Sequence, residues 1–224
     1  MAEIYKHSKI EKGINEGYEV FASNCYSKGW QLVINNLGLF VGFTIVYMLI
    51  SMVLGLIPFI GSLANLAISP SLIIGFYIVA DKLEKGEQVT FSNFFDGFSK
   101  LGDLFIVHLV MLFFVIIGFI LLVIPGIYLA VAYSFATPMV WFIYNGSVLD
   151  TLKTSRILIS KNWLSFLGFY LIGLLVCILG LICLGVGIFV AIPVMYVAHY
   201  YLFMDVIGKD EEVKDDPFNQ LVAE

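Results

Sequence analysis

The stretch that most narrows the possible folds is Leu121-Leu-Val-Ile-Pro-Gly-Ile-Tyr-Leu-Ala-Val-Ala-Tyr-Ser-Phe-Ala-Thr-Pro138. An apolar run reaches Pro125-Gly126 and leaves as a second apolar run, with no charged residue between them. Pro125 pre-sets φ for a turn, and Gly126 permits conformations that a Cβ forbids. A turn facing water normally also collects Asn, Asp or Ser. This one does not. The stretch predicts the tip of a hairpin of two transmembrane helices.

Composition bears on whether water or lipid surrounds such a hairpin. Of 224 residues, 60% are hydrophobic and 13% charged, with a mean hydropathy of +0.96. Soluble domains carry about a quarter charged residues, and a chain this size has too little interior to hide so much apolar surface. A net charge of -5 with scattered basic residues argues against a nucleic-acid partner. Cys25, Cys177 and Cys183 form no disulfide framework and read as small apolar packing residues. The start, Met-Ala-Glu-Ile-Tyr-Lys, lacks an apolar core, so no cleavable signal peptide is expected.

Six spans follow from the apolar runs, at about Leu37–Ile57, Ile60–Ala80, Leu104–Ile124, Gly126–Tyr144, Leu164–Leu184 and Val186–Ile207. Roughly 20 residues at 1.5 Å each cover the ~30 Å hydrocarbon core. Residues 1–36 are expected to form a cytoplasmic segment, with Ile14, Tyr18, Phe21 and Cys25 on one face of an amphipathic helix at the membrane surface. Residues 37–207 form the membrane domain, and 208–224 an acidic, disordered cytoplasmic tail. In the first long connection Phe91, Phe94, Phe95, Phe98 and Leu101 make an apolar stripe behind a Thr90 N-cap, an interfacial anchor or a docking face. In the second, Ser147 and Asp150 read as a capping box for a helix with Val148, Leu152 and Ile159 on one face.

Charge fixes the expected orientation. Lys and Arg number four in 1–36, three in 81–103, three in 145–163 and two in the tail, which is all twelve. None lies in the three hairpin turns. The positive-inside rule places both termini in the cytoplasm, with the chain in the cytoplasmic membrane.

An internal repeat accompanies this pattern. Asn36-Leu-Gly-Leu-Phe-Val-Gly-Phe43 resembles Asn162-Trp-Leu-Ser-Phe-Leu-Gly-Phe169, 126 residues on, and Gly61 and Gly187 keep the same offset with Gly126 between them. The predicted fold is therefore an all-α integral membrane protein of six transmembrane helices. They form three repeated hairpins, each preceded by an amphipathic interfacial helix, in a pseudo-threefold bundle. Each descending span carries a proline, Pro70, Pro138 or Pro193, which removes a backbone donor and is expected to kink its helix. Three kinked helices either line a cavity or simply pack. Gly38-x-x-x-Gly42 is a possible helix-contact motif.

Polar groups within the spans are few. His108 and His199 are candidate functional residues, since ionisable groups inside a membrane mark sites by default. Asp103 and Asp205 lie near enough in sequence for a relay or a metal pair. The plainer reading is two neutral histidines satisfied by carbonyls or headgroup water. Asn65 is expected to be an interhelical hydrogen-bond donor. Zinc spacings, a P-loop, Gly-x-Ser-x-Gly and a dinucleotide fingerprint are all missing from the sequence.

Two segments resemble a known family. Gly86-Glu-Gln-Val-Thr-Phe-Ser-Asn-Phe-Phe-Asp-Gly-Phe98 is similar to its interfacial connection. Gly118-Phe-Ile-Leu-Leu-Val-Ile-Pro-Gly-Ile-Tyr-Leu129, followed by Phe135 and Pro138, is similar to its central hairpin. The family is the glycerophosphoryl diester phosphodiesterase membrane-domain group with the related YciC-like membrane proteins, and the similarity covers about residues 20–207. In its name-giving members a separate phosphodiesterase barrel is joined to the membrane domain. The chain ends seventeen residues after its last span, so that barrel is not expected here and no activity carries over.

The expected function is a non-enzymatic membrane component: an accessory subunit, scaffold or lipid-organising protein with membrane lipids, and a protein on the cytoplasmic face, as partners. The alternative is a transporter or exporter of an apolar or lipidic molecule. An intramembrane enzyme using Ser134 or Ser69 with a histidine has no supporting spacing. No cofactor, metal ligand set or catalytic residue is assigned.

Overall fold

The computed structural model describes residues 10, 14–15, 17–143, 147–182 and 185–207. Among these, every regular element is helical: α1 (Ala22–Asn35), α2 (Leu37–Gly55), α3 (Ile60–Glu84), a 3-10 helix (Phe91–Lys100), α4 (Leu101–Leu121), α5 (Val123–Ala132), α6 (Ala136–Phe142), α7 (Val148–Ser160), α8 (Trp163–Ile182) and α9 (Ile188–Ile207). Six stretches among the described residues are long and apolar enough to cross a membrane: α2, α3, the 3-10 helix with α4, α5 with α6, α8, and α9. The tail 208–224, Cys183 and most of the first sixteen residues lie outside the described part.

The spans sort into two sets. Over their most apolar windows α2, α4 and α8 are 17, 17 and 22% buried, whereas α3, α5–α6 and α9 are 56, 50 and 67% buried. Three inner helices are thus wrapped by three outer ones. Each shorter helix lies on an inner one: the 3-10 helix on α3, α7 on α5 and α6, and α1 along α9. Small residues make these contacts close. A Cβ at Gly75 would fall 2.1 Å from the Phe94 carbonyl oxygen, one at Gly97 2.4 Å from that of Ser71, and one at Gly29 2.9 Å from the Ala198 nitrogen. Backbone-close packing of this kind suits helices in lipid, where dispersion and hydrogen bonding replace the hydrophobic drive.

The Pro125-Gly126 expectation is corrected. The break falls at Leu122, which is extended (φ -166°, ψ 156°), and Pro125 and Gly126 sit inside the first turn of α5. Proline is tolerated there because its missing N–H would have had no intrahelical partner. Gly126 does not have positive φ. It allows close approach instead, since a Cβ would fall 2.4 Å from Cγ of Phe119. Gly61 and Gly187 act alike, with Cβ positions 1.8 Å from the Leu54 oxygen and 2.7 Å from the Gly180 oxygen. Positive φ falls on Phe59 (60°) in the first turn and Gly185 (74°) in the third.

Other expectations shift by smaller amounts. The helix that carries Cys25 begins at Ala22, and Tyr18 and Phe21 lie in irregular chain between it and helical Ile14. Tyr18 instead ties the chain to the α7–α8 corner: its hydroxyl donates to the Leu158 carbonyl at 2.7 Å, and its own carbonyl accepts from Asn162 Nδ2. Nor does α1 simply lie on a surface, since it packs along α9. Pro138 coincides with a real break, Tyr133–Phe135, while α3 and α9 run on through Pro70 and Pro193. Gly38 faces no neighbour and Gly42 meets only the Phe91 ring, so that pair is no close contact within the chain. Half of the expected Ser147 capping box forms, with Oγ accepting from Asp150 N at 3.2 Å, while the Asp150 carboxylate accepts from that hydroxyl at 2.7 Å. Within the phenylalanine stripe Phe94 docks inward, fully buried and stacked on Phe43 at 4.2 Å, while Phe91 and Phe98 stay exposed.

Candidate functional site

The two sets of helices leave a cavity of about 510 Å³ between them, within the range of about 300–1,000 Å³ typical of small-molecule pockets. Pro70, Ile73 and Tyr77 of α3 line one wall, and Ile127, Val131, Ser134 and Thr137 another. His108 and Met111 come from α4, Leu167 and Tyr170 from α8, Met195, Tyr196 and His199 from α9. Phe119, Leu171 and Leu174, also in the lining, are 46, 52 and 55% exposed. They mark a mouth on the side of the bundle, between α4 and α8. Among the described residues, no Lys, Arg, Asp or Glu lines the cavity.

His199 is the polar centre of this wall and is almost fully buried. Its Nδ1 lies 2.5 Å from the Tyr77 hydroxyl and its Nε2 2.7 Å from the Tyr170 hydroxyl. Phe135 and Phe169 pack on the ring, with centroids at 5.4 and 5.9 Å. A neutral imidazole has one donor and one acceptor nitrogen, so two tyrosines satisfy it fully. Ser134 Oγ is buried beside Tyr170 without a hydrogen bond of good geometry.

The two histidines thus face one cavity, a meeting that sequence spacing does not reveal. The aspartates go elsewhere: Asp205 pairs with Lys28 at 3.9 Å and accepts from Cys25 at 3.6 Å. Asn65, expected as a donor between helices, has its acceptor atom Oδ1 buried without a partner among the described residues. Pro70 borders the cavity directly, and Thr137 does so beside Pro138. Pro193 is buried in α9, and Pro125 and Gly126 belong to the hairpin tip.

Comparison with protein-family models, with curated proteins and with solved structures finds no match to this chain. Functional inference therefore rests on its own geometry.

A second, polar cavity of about 550 Å³ opens where α3 meets the 3-10 helix. Lys82 pairs there with Asp96 at 2.9 Å and Lys85 with Asp81 at 2.7 Å, while the Tyr200 hydroxyl donates to Asp81 at 3.0 Å. Both of its lysines are thus paired with carboxylates, and Glu87 also lines it. Tyr77 and Tyr170, the residues that position His199, escaped the sequence reading. A tyrosine inside an apolar span carries an O–H that needs a partner, and that was the available signal.

Proposed function

We propose that this chain is a non-enzymatic multi-pass protein of the cytoplasmic membrane. It acts as an accessory, scaffold or lipid-organising component and holds an apolar or lipidic molecule between its helices. The uncharged cavity with its lateral, apolar mouth carries this reading. Both nitrogens of His199 are engaged by tyrosines, so it is not poised as a base on Ser134, which supports a binding rather than a catalytic role. The distribution of Lys and Arg supports termini on the cytoplasmic side. The placement of each short helix on an inner helix supports a pseudo-threefold repeat.

Native mass spectrometry of the gently extracted protein is the test. A single bound lipid or apolar molecule is the expected result, lost on filling the cavity with Ile73→Trp. A co-purifying protein without any small molecule would leave the scaffold role and remove the cavity's part in it.

A transporter of such a molecule is the second reading, favoured by the helix break at Tyr133–Phe135, whose Ser134 lines the cavity. Vesicles containing the protein should then move a fluorescent apolar lipid between leaflets faster than empty vesicles. Equal rates would leave only the holding role.

A further inference from the structure

Hydrogen counting around His199 narrows what the cavity can hold. If Tyr77 donates to Nδ1, then Nε2–H donates to the Tyr170 oxygen, and the Tyr170 hydrogen has no acceptor within the triad. If Tyr170 donates to Nε2, the Tyr77 hydrogen is the one left over. Passing the Tyr170 hydrogen to the nearby Ser134 only moves the surplus to the serine hydroxyl. Either tautomer therefore ends in at least one O–H without an acceptor among the described residues, on a residue that lines the cavity. A buried donor left unpaired is costly, and folded proteins rarely keep one.

The other constraint is charge. A phosphate, carboxylate or ammonium group inside would lose its water with no counter-charge in the lining to replace it. The mouth offers none either, being Phe119, Leu171 and Leu174.

Resting on the binding role argued above, we propose that the bound molecule is an uncharged amphiphile. Its hydrogen-bond-accepting oxygen, of a carbonyl, ether or hydroxyl, takes the surplus hydrogen of the Tyr77–His199–Tyr170–Ser134 chain. Its hydrocarbon part lies toward Met111, Ile127 and Leu174.

Three probes of equal chain length test this on the full protein in nanodiscs, titrated by native mass spectrometry at pH 8. They are 1-oleoylglycerol (neutral, with acceptors), oleate (charged) and 1-octadecene (no acceptor). 1-Oleoylglycerol is expected to bind one to one, about tenfold more tightly than oleate. One of Tyr77→Phe, Tyr170→Phe or Ser134→Ala should weaken it about fivefold, the value of one neutral hydrogen bond, with octadecene binding unchanged. The variant that does so identifies the end of the chain. Ser134→Ala breaks no bond to His199, so it reports even if a tyrosine variant misfolds. Oleate binding as tightly as 1-oleoylglycerol, or no variant separating 1-oleoylglycerol from octadecene, would overturn the proposal and leave the cavity as an apolar site. Failure of all three probes to bind would remove the binding role itself.

Discussion

The outer helices α2, α4 and α8 and the inner helices α3, α5–α6 and α9 invert the pattern of a soluble protein. The outer three are the more apolar, and the inner three carry Pro70, Pro138, Pro193, Tyr77 and His199. In water the most apolar surface goes inside because burial removes it from solvent. Lipid is as apolar as leucine, so apolar content decides nothing about which side of a helix faces a neighbour. What goes inside is whatever packs closely or needs a hydrogen-bond partner. Gly75 meeting the Phe94 backbone and His199 meeting two tyrosines are the two cases.

The largest expected effect follows directly. Gly75→Val on inner α3 drives a branched side chain into the Phe94 carbonyl, a backbone atom that cannot rotate away. We expect a loss of about 3 kcal/mol or more, seen as little folded protein after extraction. Gly168→Val on outer α8 has no heavy atom within 4 Å of the new Cβ and should change stability by under about 0.5 kcal/mol. Gly126→Val falls between them, because its new Cβ meets the Phe119 side chain, which can shift, and not a backbone atom. If Gly75→Val and Gly168→Val gave equal melting curves, the distinction between inner and outer helices would be void.

A smaller effect sharpens the same contrast. Phe203 in α9 is fully buried against Phe135 and Phe142, at 5.2 and 5.8 Å between ring centroids. Phe113 in α4 is 60% exposed. In water Phe→Ala costs about 3–5 kcal/mol as transfer plus cavity terms. Lipid-solvated helices lose mainly the packing part. Phe203→Ala should therefore cost about 2 kcal/mol and Phe113→Ala less than about 0.5 kcal/mol, read from unfolding in mixed micelles. A full aqueous-sized loss at Phe203 would mean that water reaches the unfolded helix.

The same physics explains what was legible in the sequence. Long uncharged runs must be spans, because any other backbone arrangement leaves polar groups unpaired in lipid. All six were therefore readable to within a few residues. Which spans lie inside was not, because the usual hydrophobic stripe is missing from a helix that is apolar on every side. Leu122 escaped notice as the break because Pro-Gly serves a turn and a first helical turn equally well. The cavity was illegible for another reason. Tyr77 is 122 residues from His199 and Tyr170 is 29, and no local pattern relates them.

The smallest effect concerns the end of the bundle where α1 meets α9. Cys25 is fully buried, and burial together with the nearby Asp205 carboxylate pushes its thiol up from 9.0 to about 12. The folded state thus holds this proton more tightly than the unfolded chain does. The resulting stabilisation is complete below about pH 9 and declines as pH rises toward 12. Maleimide attacks the thiolate, so labelling of the folded protein at pH 8 should be far slower than that of the unfolded chain. Asp205→Asn removes the carboxylate's charge and keeps its shape, leaving burial as the main cause of the raised value. Labelling should then rise modestly, by less than about tenfold, with an unchanged melting curve at pH 7. A rise to the unfolded rate would show instead that the Asp205 carboxylate, through Cys25 and Lys28, holds α1 against α9, making that contact depend on charge as well as on the close approach of Gly29 to Ala198.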